Sequence, residues 1–286
     1  MILATHGIVG SQITQFVGLL DLYPTAAAAY SLRRLRGGFT GSAIRVRRAS
    51  DNSEQDIGFS NNQLDTSSLT TFCSGTNGFV KTWYDQSGNG RDATQTTAAN
   101  QPQIVSSGSV INLNGKPTVQ FNNNQILTRA SFNLSQISIF TVINKYTIGN
   151  YGGYFRNVTS SGVSFAIVST IVSQWKSQCV RFLNGSDQSP YVSRSTSKTL
   201  PTGQYLENWI FNNSIQQFYE NNSSVTTNTG ATGWSGNLSF SMGSIGYDGG
   251  VTTSKNEIQE MIVYDADQST NRSAISTNIN TNYAIY

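Results

Sequence analysis

Apolar and polar residues alternate with a period of two over most of this chain, and the alternation breaks at clusters of Asn, Gly and Ser. "SAIRVRRAS" alternates around Ile44 and Val46. "FVKTWYD" sets Phe79, Lys81 and Trp83 on one face and Val80, Thr82 and Tyr84 on the other. "KPTVQFN" places Val119 and Phe121 on one face. That period predicts strands with one buried face. "ISIFTVIN" is apolar on both faces, which predicts a central strand. "GVSFAIVST", "KSQCVRFLNG", "YLENWIFN", "IQQFYENN", "LSFSMGSIG" and "NEIQEMIVYD" follow at near-regular spacing. Such a rhythm predicts an antiparallel sandwich or barrel. "QSTNRSAISTNINTNY" predicts a short closing helix, capped by Ser269 or Thr270.

Two stretches depart from the rhythm. "PTAAAAYSLRRLR", residues 24–36, predicts a helix. Pro24 suits a first turn, Asp21 lies just upstream, and the four alanines favour helix strongly. Arg33, Arg34 and Arg36 would complement the C-terminal dipole and Gly37–Gly38 would stop it, with Ala28, Leu32 and Leu35 facing the core. Residues 1–20 are apolar, interrupted by Gly and without clear period. They read as an edge strand or, more sharply, as an arm docking on a partner through Ile2, Leu3, Ile8, Val9, Ile13 and Phe16. The expected organisation is an arm over 1–20 and one domain over 21–286.

Composition supports a folded β-protein. Charged residues are 12%, about half the usual share, while aromatics reach 11%. Low charge sets the chain apart from disordered sequences, which combine low hydrophobicity with high net charge. The net charge is +3. Many cations crowd into residues 31–48, as Arg33, Arg34, Arg36, Arg45, Arg47 and Arg48. A nucleic-acid surface needs cations on one face with aromatics to stack bases, and these residues would edge a helix and a strand, so no nucleic-acid partner is expected. Cys73 and Cys179 lack metal-site spacing; two free thiols are expected, with one long-range bridge left open. No apolar run is long enough for a membrane-spanning helix. The start "MILATHGIVG" lacks a basic leader, so synthesis without a signal peptide is expected. His6 is the single histidine, which argues against multi-His metal sites and Ser-His-Asp chemistry.

"TWYDQSGNGRDATQ", residues 82–95, concentrates chemistry around one turn. Asp85-x-Ser-Gly-Asn-Gly has the outline of a calcium loop, but an EF-hand would close with Glu where Thr96 stands. A looser calcium site at Asp85 stays open. The alternative is a structural corner, with Asp85 and Ser87 capping backbone N–H groups and Gly88 and Gly90 supplying positive φ. Otherwise no cofactor is expected. For sugars, the candidates are Tyr151, Tyr154, Trp175, Trp209, Trp234 and Tyr247 as platforms, with Asn150 and Asp248 as hydrogen-bonding partners. Trp234, Tyr247, Asp248, Asn150 and Tyr151 form the preferred set, because Trp234 and the pair Tyr247–Asp248 sit in Gly-rich loops.

The order of motifs carries two family resemblances. "FYENNSSV", "MGSIGYDGG", "NEIQEMIVYDAD" and "STNINTNY", with "NGKPTVQFNNNQIL" upstream, resemble laminin-G-like, concanavalin A-type sandwiches from about residue 80 onward. "AAAAYSLRRLRGGFTGSAIRVRRASDNSEQDIGF" followed by "VKTWYDQSGNGRDATQ" resembles the α-L-arabinofuranosidase B catalytic domain, itself a concanavalin A-like sandwich. The same combination, opened by an apolar arm, resembles bacteriophage virion proteins. The resemblance to the glycosidases implies an acid/base at Asp248 and a Glu after a Gly-Asn pair. Here Gly149–Asn150 is followed by Tyr151, and no Asp or Glu occurs between Asp92 and Asp187.

The sequence-based expectation is therefore a mainly β, concanavalin A-like antiparallel sandwich or jelly roll, with one N-terminal helix and the arm. It is expected to be non-catalytic, a capsid decoration, fibre or tail component on the outer surface of a virion. The arm would bind other virion proteins, copies would associate into a homo-oligomer, and the loop face would contact glycans. An arabinofuranosidase, with Asp248 catalytic, is the alternative, and a subunit without ligand the second.

Overall fold

The computed structural model describes residues 15–147, 152–159, 162–169, 178–183, 186–187, 192–193, 203–212, 215–229, 236–246 and 255–286. The expected mainly β sandwich is what these residues form. One layer runs Ser223–Thr229, Ile215–Glu220, Gly203–Phe211, Ile137–Thr147, Lys255–Tyr264, with Ala26–Ser31 and Val119–Asn122 sharing the far side of the last strand. The other runs Glu54–Ile57, Ile44–Arg48, Gly78–Trp83, then through Ala93–Thr94 to Ile126–Leu134, Gly236–Gly246, Gly152–Thr159, Gly162–Ser169 and Gln178–Leu183. Every pairing among the described residues is antiparallel.

The main core lies between the layers. Ile139, Trp209 and Met261 from one meet Trp83, Phe155 and Phe240 from the other, and Tyr30 stands edge-on to both Trp83 and Phe240. A second apolar cluster covers the outer face of the first layer. There Phe140, Val142, Ile262 and Tyr264 are sealed by Leu19–Leu20 and by Ile275, Ile279 and Tyr283 of the closing helix Arg272–Tyr283. Strands buried on both faces need apolar residues at successive positions, which explains why Ile139–Phe140 and Val142–Ile143 are apolar on both faces of 137–144. A bulge in the ladder at Lys81, where Arg45 pairs with Thr82 and Val46 with Val80, brings both Val80 and Trp83 into the core.

The helix expected over 24–36 is not formed. Ala26–Ser31 is a fully buried strand pairing with Lys255–Tyr264. Its alanines are divided between the two cores, Ala27 and Ala28 inward, Ala26 and Ala29 outward. Helix propensity is a weak prior, and here the fit of small side chains between two packed layers overrides it. The closing helix forms as expected, but its cap position is Asn271, not Ser269 or Thr270. Leu19–Leu22 makes one helical turn whose Leu19 and Leu20 are buried, so the packed body begins upstream of residue 21. Among the described residues no helix is long and apolar enough to cross a membrane.

Candidate functional site

The stretch 85–91 is a side-chain substitute for a neighbouring strand. The strand Ala26–Ser31 has Lys255–Tyr264 along one edge; its other edge is met by the corner. Ala29 N–H donates to Asp85 Oδ1 at 2.8 Å, and Gln86 N–H to the Ala29 carbonyl at 2.8 Å. Gln86 is fully buried; its amide donates to the Ser31 and Arg33 carbonyls and accepts from Leu35 N–H. Asn89 donates to the carbonyls of Ala26 and Ala27, and Arg91 to that of Ala27. Buried backbone groups need partners, and this corner supplies them. Gly88 and Gly90 take φ of +91° and +64°, the left-handed turn conformations such a path requires.

Asp85 is the hub of that corner. Oδ1 accepts from Ala29 N–H and Ser87 N–H, and Oδ2 from the Ser87 hydroxyl and Arg91 N–H, all at 2.7–3.0 Å. A carboxylate has about four lone-pair sites, so the residue proposed for calcium already has its acceptor capacity engaged. Among the described residues no group of three or more His, Cys, Asp or Glu side chains is placed to hold a metal. Cys73 is a buried free thiol. The arginine-rich run spends its charge internally: Arg33 on Glu260, Arg45 on Glu54 and Asp56, Arg48 on Asp51, and Arg47 on Gln101 and Asn52.

The preferred sugar-binding set, Trp234, Tyr247, Asp248, Asn150 and Tyr151, lies outside the described residues, as do Tyr154's side chain, Trp175, and Ile2, Leu3, Ile8, Val9 and Ile13 of the arm. The described residues that bracket two of these segments pair with one another. Thr147 is registered against Lys255, and Gly152 against Gly246. Phe16 is half-buried on the domain itself, with the Arg34 guanidinium 5.9 Å from its ring centre. Trp209 is core, fully buried and stacked on Phe218 at 3.9 Å.

One arrangement was not legible in the sequence. Glu207 and Glu220 stand directly opposite each other on neighbouring strands, on the inner face of the first layer. Thr141 pairs with Glu207 from the other side, so one row across the sheet reads Met261, Thr141, Glu207, Glu220. Glu207 is fully buried and Glu220 is 8% exposed. The Trp209 indole N–H reaches Glu207 Oε2 at 3.4 Å, and the Thr141 hydroxyl is buried without a hydrogen-bond partner. Directly opposed residues have Cβ atoms about 4.5–5.5 Å apart. Two facing carboxyl groups are the residue type that glycoside hydrolysis requires. Only the ladder register reveals the pair, because twelve residues separate the two glutamates in sequence.

Comparison with known proteins gives the same direction. The family model "Alpha-L-arabinofuranosidase B, catalytic" matches residues 21–126. A probable α-L-arabinofuranosidase B from Aspergillus flavus is 32% identical over 126 residues, covering 38% of this chain and 25% of that protein. The α-L-arabinofuranosidase B of Aspergillus oryzae matches to the same extent. The matched stretch thus spans a quarter of these relatives. A GH54 α-L-arabinofuranosidase structure superposes with TM-score 0.72 at 17% identity, over 94% of this chain and 66% of that one. An arabinofuranosidase complexed with arabinofuranosyl-α-1,2-xylobiose superposes with TM-score 0.71 over the same shares.

These findings overturn several expectations. The relatives are fungal glycosidases and the whole-chain fold neighbours are arabinofuranosidases. A non-catalytic virion component is therefore not what the chain resembles, and its placing on the outer surface of a capsid or tail loses its support. The expectation that the chain is not an enzyme falls with it. It had rested on the missing carboxylate after Gly149–Asn150, a local departure that leaves the rest of the domain in place.

Proposed function

We propose that this chain is a glycoside hydrolase of the α-L-arabinofuranosidase type. The observation that carries the proposal is that the arabinofuranosidase B family model matches residues 21–126 while the arabinofuranosidase fold covers 94% of the chain. The matched segment contains the corner and Arg33, so the resemblance reaches the parts that hold the sandwich closed.

The chemistry needs a proton donor for the departing oxygen and a second carboxyl group to attack the anomeric carbon or to activate water. The family resemblance offers Asp248 as the donor. With Tyr151 standing after Gly149–Asn150, the second carboxyl group has to come from elsewhere. We infer that the Glu207–Glu220 pair supplies it, with Glu220 as the attacking group because it is the more exposed of the two. The Glu220 carboxylate would form an ester bond to the anomeric carbon as the glycosidic C–O bond breaks and Asp248 protonates the leaving oxygen. Water, deprotonated by Asp248, would then release the sugar and restore the carboxylate.

The test is turnover of 4-nitrophenyl α-L-arabinofuranoside by the full chain, alongside Asp248→Asn and Glu220→Gln. Nitrophenol release by the wild type, lost in both variants, supports the proposal. A wild-type protein inactive on this substrate and on arabinosylated xylo-oligosaccharides defeats it.

A further inference from the structure

A cleft of about 580 Å³, whose lining shares no residue with the carboxylate row, lies between the short helix Thr66–Phe72, the hairpin around 105–110 and the hairpin around 112–117. That volume is within the range of about 300–1,000 Å³ typical of small-ligand sites. Its polar wall is built from Thr66, Thr70, Ser109 and Asn112, and its apolar floor from Leu64, Val110 and Pro117. The lining contains no Asp or Glu and one cation, Lys116. Among the described residues the half-buried Lys116 ammonium makes no ion pair.

The Lys116 hairpin is held rigidly. Gln259, fully buried, donates from Nε2 to the carbonyls of Leu113, Lys116 and Pro117 at 3.1–3.2 Å. Asn114 and Gly115 turn the hairpin with φ of +48° and +72°, the pattern of a tight two-residue turn. The neighbouring hairpin turns through Ser107 and Gly108 in the same way, and Asn77 fixes it by accepting from Ser107 N–H at 2.8 Å. A preorganised wall loses little entropy when a ligand arrives. Thr70 already donates its hydroxyl to the Thr66 and Ser67 carbonyls, so it faces a ligand as an acceptor. Thr66 and Ser109 remain able to donate as well as accept.

We propose that this cleft binds a uronic-acid residue of an acidic glycan. An apolar floor suits the C–H face of a pyranose, mixed donors and acceptors suit its hydroxyls, and an unpaired ammonium in a wall without carboxylates suits its carboxylate. The site is separate from the Glu207–Glu220 row and does not depend on hydrolysis.

The test is titration of ¹⁵N-labelled full-length chain with methyl β-D-glucuronide. Saturable shifts at Thr70, Ser109 and Lys116 are expected. Methyl β-D-glucoside should bind about tenfold or more weakly, as should the glucuronide to Lys116→Met, since a charge-assisted contact is lost. Added salt should weaken binding. Lys116→Arg should retain it, and the aryl arabinofuranoside rate of Lys116→Met should equal that of the wild type. No saturable shift at millimolar glucuronide, shifts elsewhere on the chain, or unchanged affinity in a folded Lys116→Met would overturn the proposal. So would inorganic phosphate binding as tightly with the same shifts, which would mark a bare-anion site.

Discussion

The Arg33 guanidinium grips the Glu260 carboxylate twice, from Nε to Oε2 at 2.8 Å and from Nη2 to Oε1 at 3.0 Å. The Ser31 hydroxyl donates to Oε2 at 2.7 Å, and Tyr283 joins from the closing helix at 3.3 Å. One carboxylate thus ties the first strand of the sandwich, its last strand and the helix that covers them. The Glu260 side chain is fully buried and that of Arg33 is 11% exposed. Removing one member of such a pair leaves the other charge unpaired in the interior, which costs about 3–5 kcal/mol. Arg33→Met should lose that much stability by urea denaturation. Arg33→Met/Glu260→Met should recover only part, because the Ser31 hydroxyl would then lack its acceptor while Tyr283 kept only the Gln259 carbonyl. Full recovery would show the network to be a simple pair.

Asp85→Asn tests the corner. Replacing either carboxylate oxygen by NH₂ sets a donor against two donors: Ala29 and Ser87 N–H on one side, Arg91 N–H and the Ser87 hydroxyl on the other. Losses of about 1.5–3 kcal/mol for each bond to a charged group make a total near 3 kcal/mol or more the expected outcome in a thermal or urea melt. Because all four acceptor sites are occupied, excess calcium or EDTA should leave the melting temperature of the wild type unchanged. A calcium-dependent rise would mean that the corner rearranges to bind the ion.

Much of the sandwich is written in the period-two pattern, because a strand with one dry face must alternate. The strand 26–31 is not, since alanine fits either face of a sheet as well as a helix. Its conformation is decided by Asp85, Gln86 and Asn89, more than fifty residues away, which the sequence identifies as a turn but not as the partner of that strand's open edge. The Glu207–Glu220 row is hidden for a related reason. Glu207 reads as a polar break in an apolar strand and Glu220 as the polar end of an alternating one, and only the register, fixed where Asn212 accepts from Ile215 N–H, sets them opposite each other. The candidates around 150, 234 and 248 rest on Gly-rich composition and, for Asn150 and Asp248, on the family resemblance as well; they fall outside the described residues.

Gly243→Ala should be strongly destabilising. The residue has φ of +125°, and an added Cβ would lie 2.3 Å from the Phe121 ring and 2.6 Å from the Gln125 carbonyl oxygen. Phe121 is fully buried and cannot swing away. Overpacking of about 1–3 kcal/mol adds to the strain of left-handed backbone. A melting temperature within a degree of wild type would show that the 126–134 and 236–246 strands slide to accommodate it.

Alkaline titration reads the buried phenols. Burial raises the pKa of Tyr30, with the charge of Asp85 adding to it; burial raises Tyr264; and burial together with Glu260 raises Tyr283. In the unfolded chain these groups ionise near pH 10. A folded pKa above the unfolded one means that the native state holds its proton more tightly. Stability is then full below about pH 10 and falls as pH rises further, because deprotonation favours the unfolded chain. Phenolate absorbance from these three residues should therefore appear together with the loss of circular dichroism, as one cooperative step, after the exposed tyrosines have titrated. Replacing Tyr283 by Phe should remove one proton from that step and lower its steepness. Phenolate absorbance that rises to completion while the dichroism stays native would show that hydroxide reaches these rings without unfolding, and that the closing helix opens on its own.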